Sequence, residues 1–474
     1  MGRKIDVLKS VMLIHEIAHR MDFSYLAEMF RFLGVFVCEG ILLEDGFEDI
    51  LTDKKGNYDV YVCVGSREIT KKQADALGCT VEKYAWLINR LPQGTIYFND
   101  ILVKNGMKRP SADGVLPIPI EDCFPQKQLM DLIFNFLEEV LKLAYRENGS
   151  FKADKTWKDL IQVYVQNRLC FHSMNLQYYA KKPSIAAELA KDAFIQGYHQ
   201  LTALAGKVQN EVVMHYKYTV LWCSVKANTA CDYQKDILYF PINDLAEQCQ
   251  QLCREYKGFT NAKILLGMCY EPSRGSGNEA LMAFDSVLKE MNESCFASAV
   301  YYWMGKRFET FSGKEKDAAK CYKLANERKE KFRNYFKLAV IERNQGNYEK
   351  AIELFDAILD KLERKLDMHF ADPLELEYAF KVYSQKCYIY SRINRYEKVI
   401  EMGENAIRIK EKEIGNSKYF NLFYGKQKMT YSNVLEERLK LSTAYRLLME
   451  TYRGLRNKEK EMEYMEKWKS VTGE

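Results

Sequence analysis

The feature that most constrains this chain is a run of paired helical segments, from about residue 257 to the end, that carry small and large residues at recurring positions. Tyr335, Leu338 and Ala339 share one face of a first segment, Gly346-Asn347-Tyr348 forms a break, and Ala351, Phe355 and Ile358 share one face of a second. The small residues let two antiparallel helices approach, and the large ones fill the space between them. A second copy carries Leu266-Gly267, Tyr270, Ala280, Phe284 and Val287, with a longer loop around Ser273 to Asn278. Fainter copies follow. One has Met304-Gly305 and Phe308 with Ala319 and Tyr322. Another has Tyr383, Cys387 and Tyr390 with Tyr396, Val399 and Ala406, and a last one has Leu448, Tyr452, Gly454 and Met465. A helix pair of this kind cannot bury its apolar face alone, so successive pairs must stack into an array.

The spacing resembles the tetratricopeptide repeat (TPR), most closely at residues 335–359. The resemblance implies an all-α superhelix over residues 151–474, divergent over 151–256 and clearer over 257–474, whose concave surface binds a protein or peptide partner.

Composition bounds the rest. A length of 474 residues fits two domains. Apolar content of 47% with 13% aromatics is ample for packed cores, which argues against large disordered regions. Residues 1–150 hold 18 Lys+Arg against 22 Asp+Glu and the remainder 52 against 43, so the front is slightly acidic and the helical part basic. No dense Lys/Arg block accompanies that surplus, which argues against a nucleic-acid groove. Thirteen cysteines occur without a CxxC pair, as expected of reduced thiols, and Cys249 and Cys253 have no neighbouring histidine to suggest a metal site. The apolar stretch Val7 to Ile14 is interrupted by Lys9 and Ser10 and has no cleavage signal, and no window approaches the roughly 18 apolar residues of a membrane span. The expectation is a soluble cytoplasmic protein.

Residues 1–150 have a different period. Strand candidates lie near Val11 to Ile14, at Val35 to Cys38, Tyr58 to Val64, Gly94 to Phe98 and Val115 to Ile120, and helical ones at Ser24 to Leu33, Thr80 to Leu91 and Gln126 to Tyr145. Such alternation predicts an α/β domain with a flavodoxin-like parallel sheet, joined to the array near Arg146 to Ser150.

The order of these pieces resembles the Toll/interleukin-1 receptor (TIR) domain. Gly34 ends the first helix, Glu39-Gly-Ile-Leu-Leu-Glu-Asp45-Gly46 is similar to an acidic loop closed by glycine, and Phe47 to Leu51 would be a short helix after it. The strand Tyr58 to Val64 runs into Gly65-Ser66, and Gly78-Cys79-Thr80-Val81-Glu82 looks like the family's Trp-Cys-x-x-Glu, with Gly78 in place of tryptophan and Lys83 where leucine is usual. The resemblance implies NAD as substrate, with no added cofactor. Glu82 would be the catalytic carboxylate, and Glu39, Gly40, Asp45, Gly46, Ser66 and Trp86 would line the substrate site. Breaking the nicotinamide N-glycosidic bond passes through an oxocarbenium-like state that one carboxylate can stabilise, because the nicotinamide already carries the positive charge of a good leaving group. Trp86, one turn after Glu82, is either a stacking surface or core.

A rival motif occupies the same domain. His15-Glu16-Ile17-Ala18-His19 is an HExxH pattern, which on a helix places two histidines one turn apart for zinc with the glutamate as base. A third ligand would have to come from Glu28, Glu39 or Glu44, none in a metallopeptidase setting. The alternative puts His15 and His19 at a turn after the first strand, with no metal, and is the preferred reading.

Taken with the repeats, the TIR resemblance implies an effector that cleaves NAD or makes a nucleotide signal when it self-associates through the front domain. The array would sense a partner, as in prokaryotic antiviral immune effectors of this design. Two other readings stay open: a non-catalytic adaptor in which both halves bind proteins, and the HExxH metallopeptidase.

Overall fold

The computed structural model describes residues 8–16, 20–43, 46–48, 60–64, 95–97, 126–144, 155–177, 185–204, 212–229, 239–256, 258–270, 277–291, 296–367, 373–415 and 439–473. The chain divides into two compact units, Met1–Arg168 with Ala190–Arg307, and Leu169–Leu189 with Phe308–Glu474.

The first unit holds a sheet with strand order β3-β2-β1-β4-β5 among the described residues. Its strands are β1 (Ser10–Glu16), β2 (Phe36–Leu43), β3 (Gly46–Glu48), β4 (Val60–Val64) and β5 (Thr95–Tyr97). β1 pairs in parallel with β2 on one side and with β4 on the other, β5 adds in parallel to β4, and β3 runs antiparallel along β2. Val11, Leu13 and Val62, which share one face of the sheet, are completely buried. The expected strand at Val115 to Ile120, the helix Thr80 to Leu91 and the junction near 146–150 lie outside the described residues.

Two local expectations are corrected here. Glu39 to Gly46 is not a loop: residues through Leu43 continue β2, and Gly46 opens β3 with Leu43 as its cross-strand partner. Phe47 and Glu48, expected in a short helix, pair with Leu42 and Ile41 in that edge strand. The reason is legible in hindsight, because Asp45-Gly46 between apolar runs is a hairpin signal and the run Gly-Ile-Leu-Leu suits a strand.

Helix α1 (Arg20–Phe32) follows β1. It ends as the sequence predicts, at Gly34 with φ +79°, where Val35 N–H donates to Phe30 O at 2.9 Å and Gly34 N–H to Arg31 O at 3.1 Å. Glycine is needed twice over, because a Cβ here would stand 2.7 Å from Phe259 Cζ and 2.8 Å from Tyr218 Cδ1. Six helices continue this unit after α2 (Gln126–Ala144) and α3 (Lys155–Gln177): α4 (Ile185–Thr202), α5 (Val212–Thr229), α6 (Ile242–Glu255), α7 (Thr260–Cys269), α8 (Gly277–Met291) and α9 (Ala297–Phe308). The ends of α3, α4 and α9 reach the division between the units.

The division does not follow the boundary expected at residue 150. Tyr164 Oη in α3 donates to Tyr25 O in α1 at 2.6 Å, the Phe30 ring meets Phe136 edge-on, and Phe32 meets both Tyr164 and Trp222. Phe36 of β2 stacks on Phe296 with ring centroids 4.4 Å apart. Two carbonyls left open at the end of α1 are also capped from this side. His215 Nδ1 lies 2.7 Å from Leu33 O, and Asn261 Nδ2 donates to Gly34 O at 2.5 Å. Among the described residues the large aromatics of α1 thus pack on Phe136 of α2 and on the first helices of the array.

The second unit is a series of antiparallel hairpins. After α10 (Glu315–Arg328) come the pairs α11 (Phe332–Asn344) with α12 (Tyr348–Asp367), α13 (Pro373–Arg392) with α14 (Tyr396–Gly415), and α15 (Ser442–Gly454) with α16 (Lys458–Thr472). Each helix packs on the next, and α13 also on α15. Ala339, Ala351, Phe355 and Ile358 are buried together, as their spacing predicts, with Tyr335 packed against them, and Leu338 is buried as well. The fainter copies needed adjustment. Ala318 rather than Ala319 is the fully buried alanine beside Tyr322, and Tyr396 is 40% exposed instead of lying in the core.

Candidate functional site

In a parallel sheet, a site forms outside the carboxyl ends of the strands where the strand order reverses. Here β1 and β4 are the strands flanking that reversal, since the chain steps from β1 outward to β2 and then returns to the other side of β1 as β4. The crevice position therefore follows Glu16 in β1 and Val64 in β4, and Val64 is paired with His15.

The expected site residues divide as follows. His15 and Glu16 are the last two residues of β1, with His15 paired to Ile41 and Glu16 to Leu42. An HExxH zinc site needs His15 and His19 on one helical turn, whereas His15 and Glu16 belong to strand β1 and residues 17–19 lie outside the described residues. Among the described residues no group of three or more His, Cys, Asp or Glu is placed to hold a metal ion. Glu39 and Gly40 pair with Leu13 and Ile14 within the body of β2, which takes them out of the acidic loop expected to carry them. Gly46 begins the edge strand. Asp45, Ser66, Glu82, Trp86 and His19 lie outside the described residues.

The helical hairpins offer a second kind of site. Consecutive turns share one geometry. Each first helix ends on a left-handed residue, Gly346 with φ 82°, Asn394 with φ 56° or Arg456 with φ 58°, and the next N–H closes a six-residue bond to Glu342 O, Tyr390 O or Tyr452 O at 2.9 to 3.0 Å. The residue just before the left-handed one is Gln345 in the first turn but Ile393 and Leu455 in the other two, and these two are 38% and 47% exposed. Tyr396 lies beside Gly454, its Oη 3.9 Å from where a Cβ would stand, so the second and third turns form one apolar patch. Arg392, Arg395, Arg456 and Lys458 around it are all exposed. Tyr396, expected in the core from its place in the repeat, is exposed instead, and the sequence signal for the patch is that Ile393 and Leu455 fall at equivalent places in their turns, outside the helical stripe.

Charged ties hold the hairpins in order. Lys361 Nζ donates to Glu330 at 2.7 Å, Lys337 to Glu309 at 2.7 Å, and Lys386 to Asp356. The deepest is Glu377 at the start of α13, which accepts from Lys410 at 2.8 Å and lies 3.1 Å from Lys381. Burial pushes its carboxyl up, but the ammonium groups of Lys381 and Lys410 outweigh that and hold it well below the usual carboxylate range. Burial in turn brings Lys381 down to about 8. The described cysteines are free thiols. Cys249 and Cys269 have their Sγ atoms 3.6 Å apart in the α6–α7 core, where the hydrogen bond between them and burial push the Cys249 thiol well up. No helix among the described residues is long and apolar enough to cross a membrane.

No family model and no curated protein matches the chain. Solved structures similar to the chain include the following two. The APC/C hetero-tetramer Cut9–Hcn1 matches at 13% identity with a TM-score of 0.27, covering 74% of this chain and 81% of that one. A STAND protein with a tetratricopeptide repeat sensor from Pyrococcus horikoshii matches at 13% identity and a TM-score of 0.27, covering 99% of this chain and 86% of that one.

Proposed function

We propose that this chain is a sensor-coupled effector, in which TPR-like helical hairpins bind a protein or peptide partner and a TIR-like α/β domain acts on NAD. The observation that carries the reading is the sheet order. The chain leaves β4 at the strand reversal, and the residues that follow are Gly65-Ser66 and then Cys79-x-x-Glu82. A carboxylate near that edge would stabilise the oxocarbenium-like ribosyl cation as neutral nicotinamide departs, and water would complete the hydrolysis. No cofactor is required, and the partner on the hairpins would shift the chain towards its self-associated, active form. Moving such an equilibrium from about 1:99 to 99:1 takes about 5.5 kcal/mol of differential binding, which an extended repeat surface can supply.

Incubating the purified full-length chain with NAD and following nicotinamide release tests the reading. Release is expected from the wild type under conditions of self-association and not from Glu82→Gln. Equal release from both would remove Glu82 from its role, and no release from either would leave the adaptor.

The adaptor is favoured by a different observation. Glu39 and Gly40 are built into β2, so two members of the expected substrate set are ladder residues. In that reading the α/β part contributes an interaction surface only, and the chain is a scaffold.

A further inference from the structure

Arg343 is a half-buried cation held by neutral groups. It stands at the end of α11, where its Nε and Nη2 donate to Asn344 Oδ1 at 3.1 and 2.6 Å and its Nη1 donates to Gln385 Oε1 on α13. The guanidinium lies over the ring of Tyr388, 5.7 Å from its centroid, and Tyr388 is 39% exposed. Burial pushes the guanidinium down, and only Tyr388 and Tyr348 oppose that, with no carboxylate among the described residues acting on it. The neighbouring ties between helices differ, since Lys337, Lys361 and Lys386 each reach a carboxylate. Two amides thus take three of the five N–H groups of Arg343, which fixes the plane of the fork without cancelling its charge. Two N–H groups are left beside an exposed aromatic ring. Because α11 and α13 are the first helices of successive hairpins and pack on each other, these groups belong to the surface that first helices share.

We infer that Arg343 and Tyr388 anchor an acidic segment of a protein partner: an Asp or Glu side chain takes the remaining N–H groups, and an apolar neighbour covers the Tyr388 ring. A carboxylate brings the counter-charge that a partly desolvated cation calls for, in the geometry a guanidinium fork matches. Asn344 and Gln385 hold that fork in place before the partner arrives, so little ordering cost remains. The inference rests on the reading of the hairpins as a partner-binding surface and makes no use of the nucleotide chemistry.

Selection of a random dodecapeptide library displayed on phage against the full-length chain tests it, followed by fluorescence polarisation with the recovered peptides made synthetically. The recovered peptides are expected to carry Asp or Glu beside an apolar residue. They should lose affinity tenfold or more in Arg343→Gln, in Tyr388→Ser, and when their acidic residue is replaced by its amide. Arg343→Lys, which keeps the charge and loses the fork, should recover part of that loss. Thermal melts of the variants should match the wild type, and should Arg343→Gln melt early, Tyr388→Ser at an exposed ring carries the same test. Peptides that bind the wild type and both variants alike overturn the inference and leave the hairpins as a peptide site. Recovery of no peptide at all overturns the partner reading and the inference with it. Binding of a single-stranded oligonucleotide that depends on Arg343, without preference for Asp or Glu among peptides, assigns the fork to phosphate and also overturns the inference.

Discussion

The ring of Phe284 lies across Gly267, with Cζ 2.6 Å from the point where a Cβ would stand. One helix of the pair gives up its side chain so that the ring of the other fills the gap, which is why the repeat places a small residue there. Gly267→Ala should therefore cost about 1–3 kcal/mol by overpacking, despite the better helix propensity of alanine. Urea unfolding measures it. Phe284→Leu in the same chain should recover part of the loss, and additive effects would show that the two residues do not meet.

His215 is fully buried against Trp157, next to Leu33 O, and burial brings its imidazole down from 6.5 to about 4. The neutral ring is the folded form, and the unfolded chain binds the proton more tightly. Stability is therefore full above pH 6.5 and falls as pH drops through the window from 6.5 to 4, by about 3 kcal/mol in all. Melting curves across this range should show the slope in the wild type. They should show a flatter one in His215→Asn, whose ground stability will be lower because Leu33 O loses its partner.

Removing the charge of Glu377 should be severe. Glu377→Gln leaves Lys410, which is completely buried, without the carboxylate at 2.8 Å, and a loss of about 3–5 kcal/mol in denaturant unfolding is expected. Replacing both partners, Glu377→Gln with Lys410→Met, should cost less than the single change, because the completely buried Lys410 charge is then gone and only that of Lys381 loses its carboxylate. A double variant worse than the single one would contradict the pairing.

A fragment cut at residue 150 should not fold alone. It would expose the α1 faces that meet Tyr164, Trp222 and Phe259, including the buried rings of Tyr25 and Phe32. Residues 1–307, which keep those helices, should give a soluble protein with a cooperative melt. A monomeric, cooperatively folding 1–150 fragment would show that the α/β part needs no cover from the array.

Much of this architecture was legible in the sequence. The 335–359 repeat, the parallel strands near 11, 36, 61 and 96, and the stop of α1 at Gly34 all follow from periodicity and one glycine, because these are local properties of the backbone. The β2–β3 hairpin was legible too, in Asp45-Gly46, but a loop drawn from a resemblance displaced it.

What only the tertiary structure decided is which surfaces meet. Local pattern gives His15 and His19 a helical spacing, yet pairing of β1 with β2 and β4 makes residues 15 and 16 strand, since a central strand gains ladder bonds on both sides that an isolated turn of helix does not. Pattern likewise ends the first domain near 150, whereas α1 finds its core on α3, α5 and α7. Periodicity says that a face is apolar. Only the packed chain says which distant face covers it, as Phe259 covers Gly34, and which, as at Ile393 and Leu455, is left open.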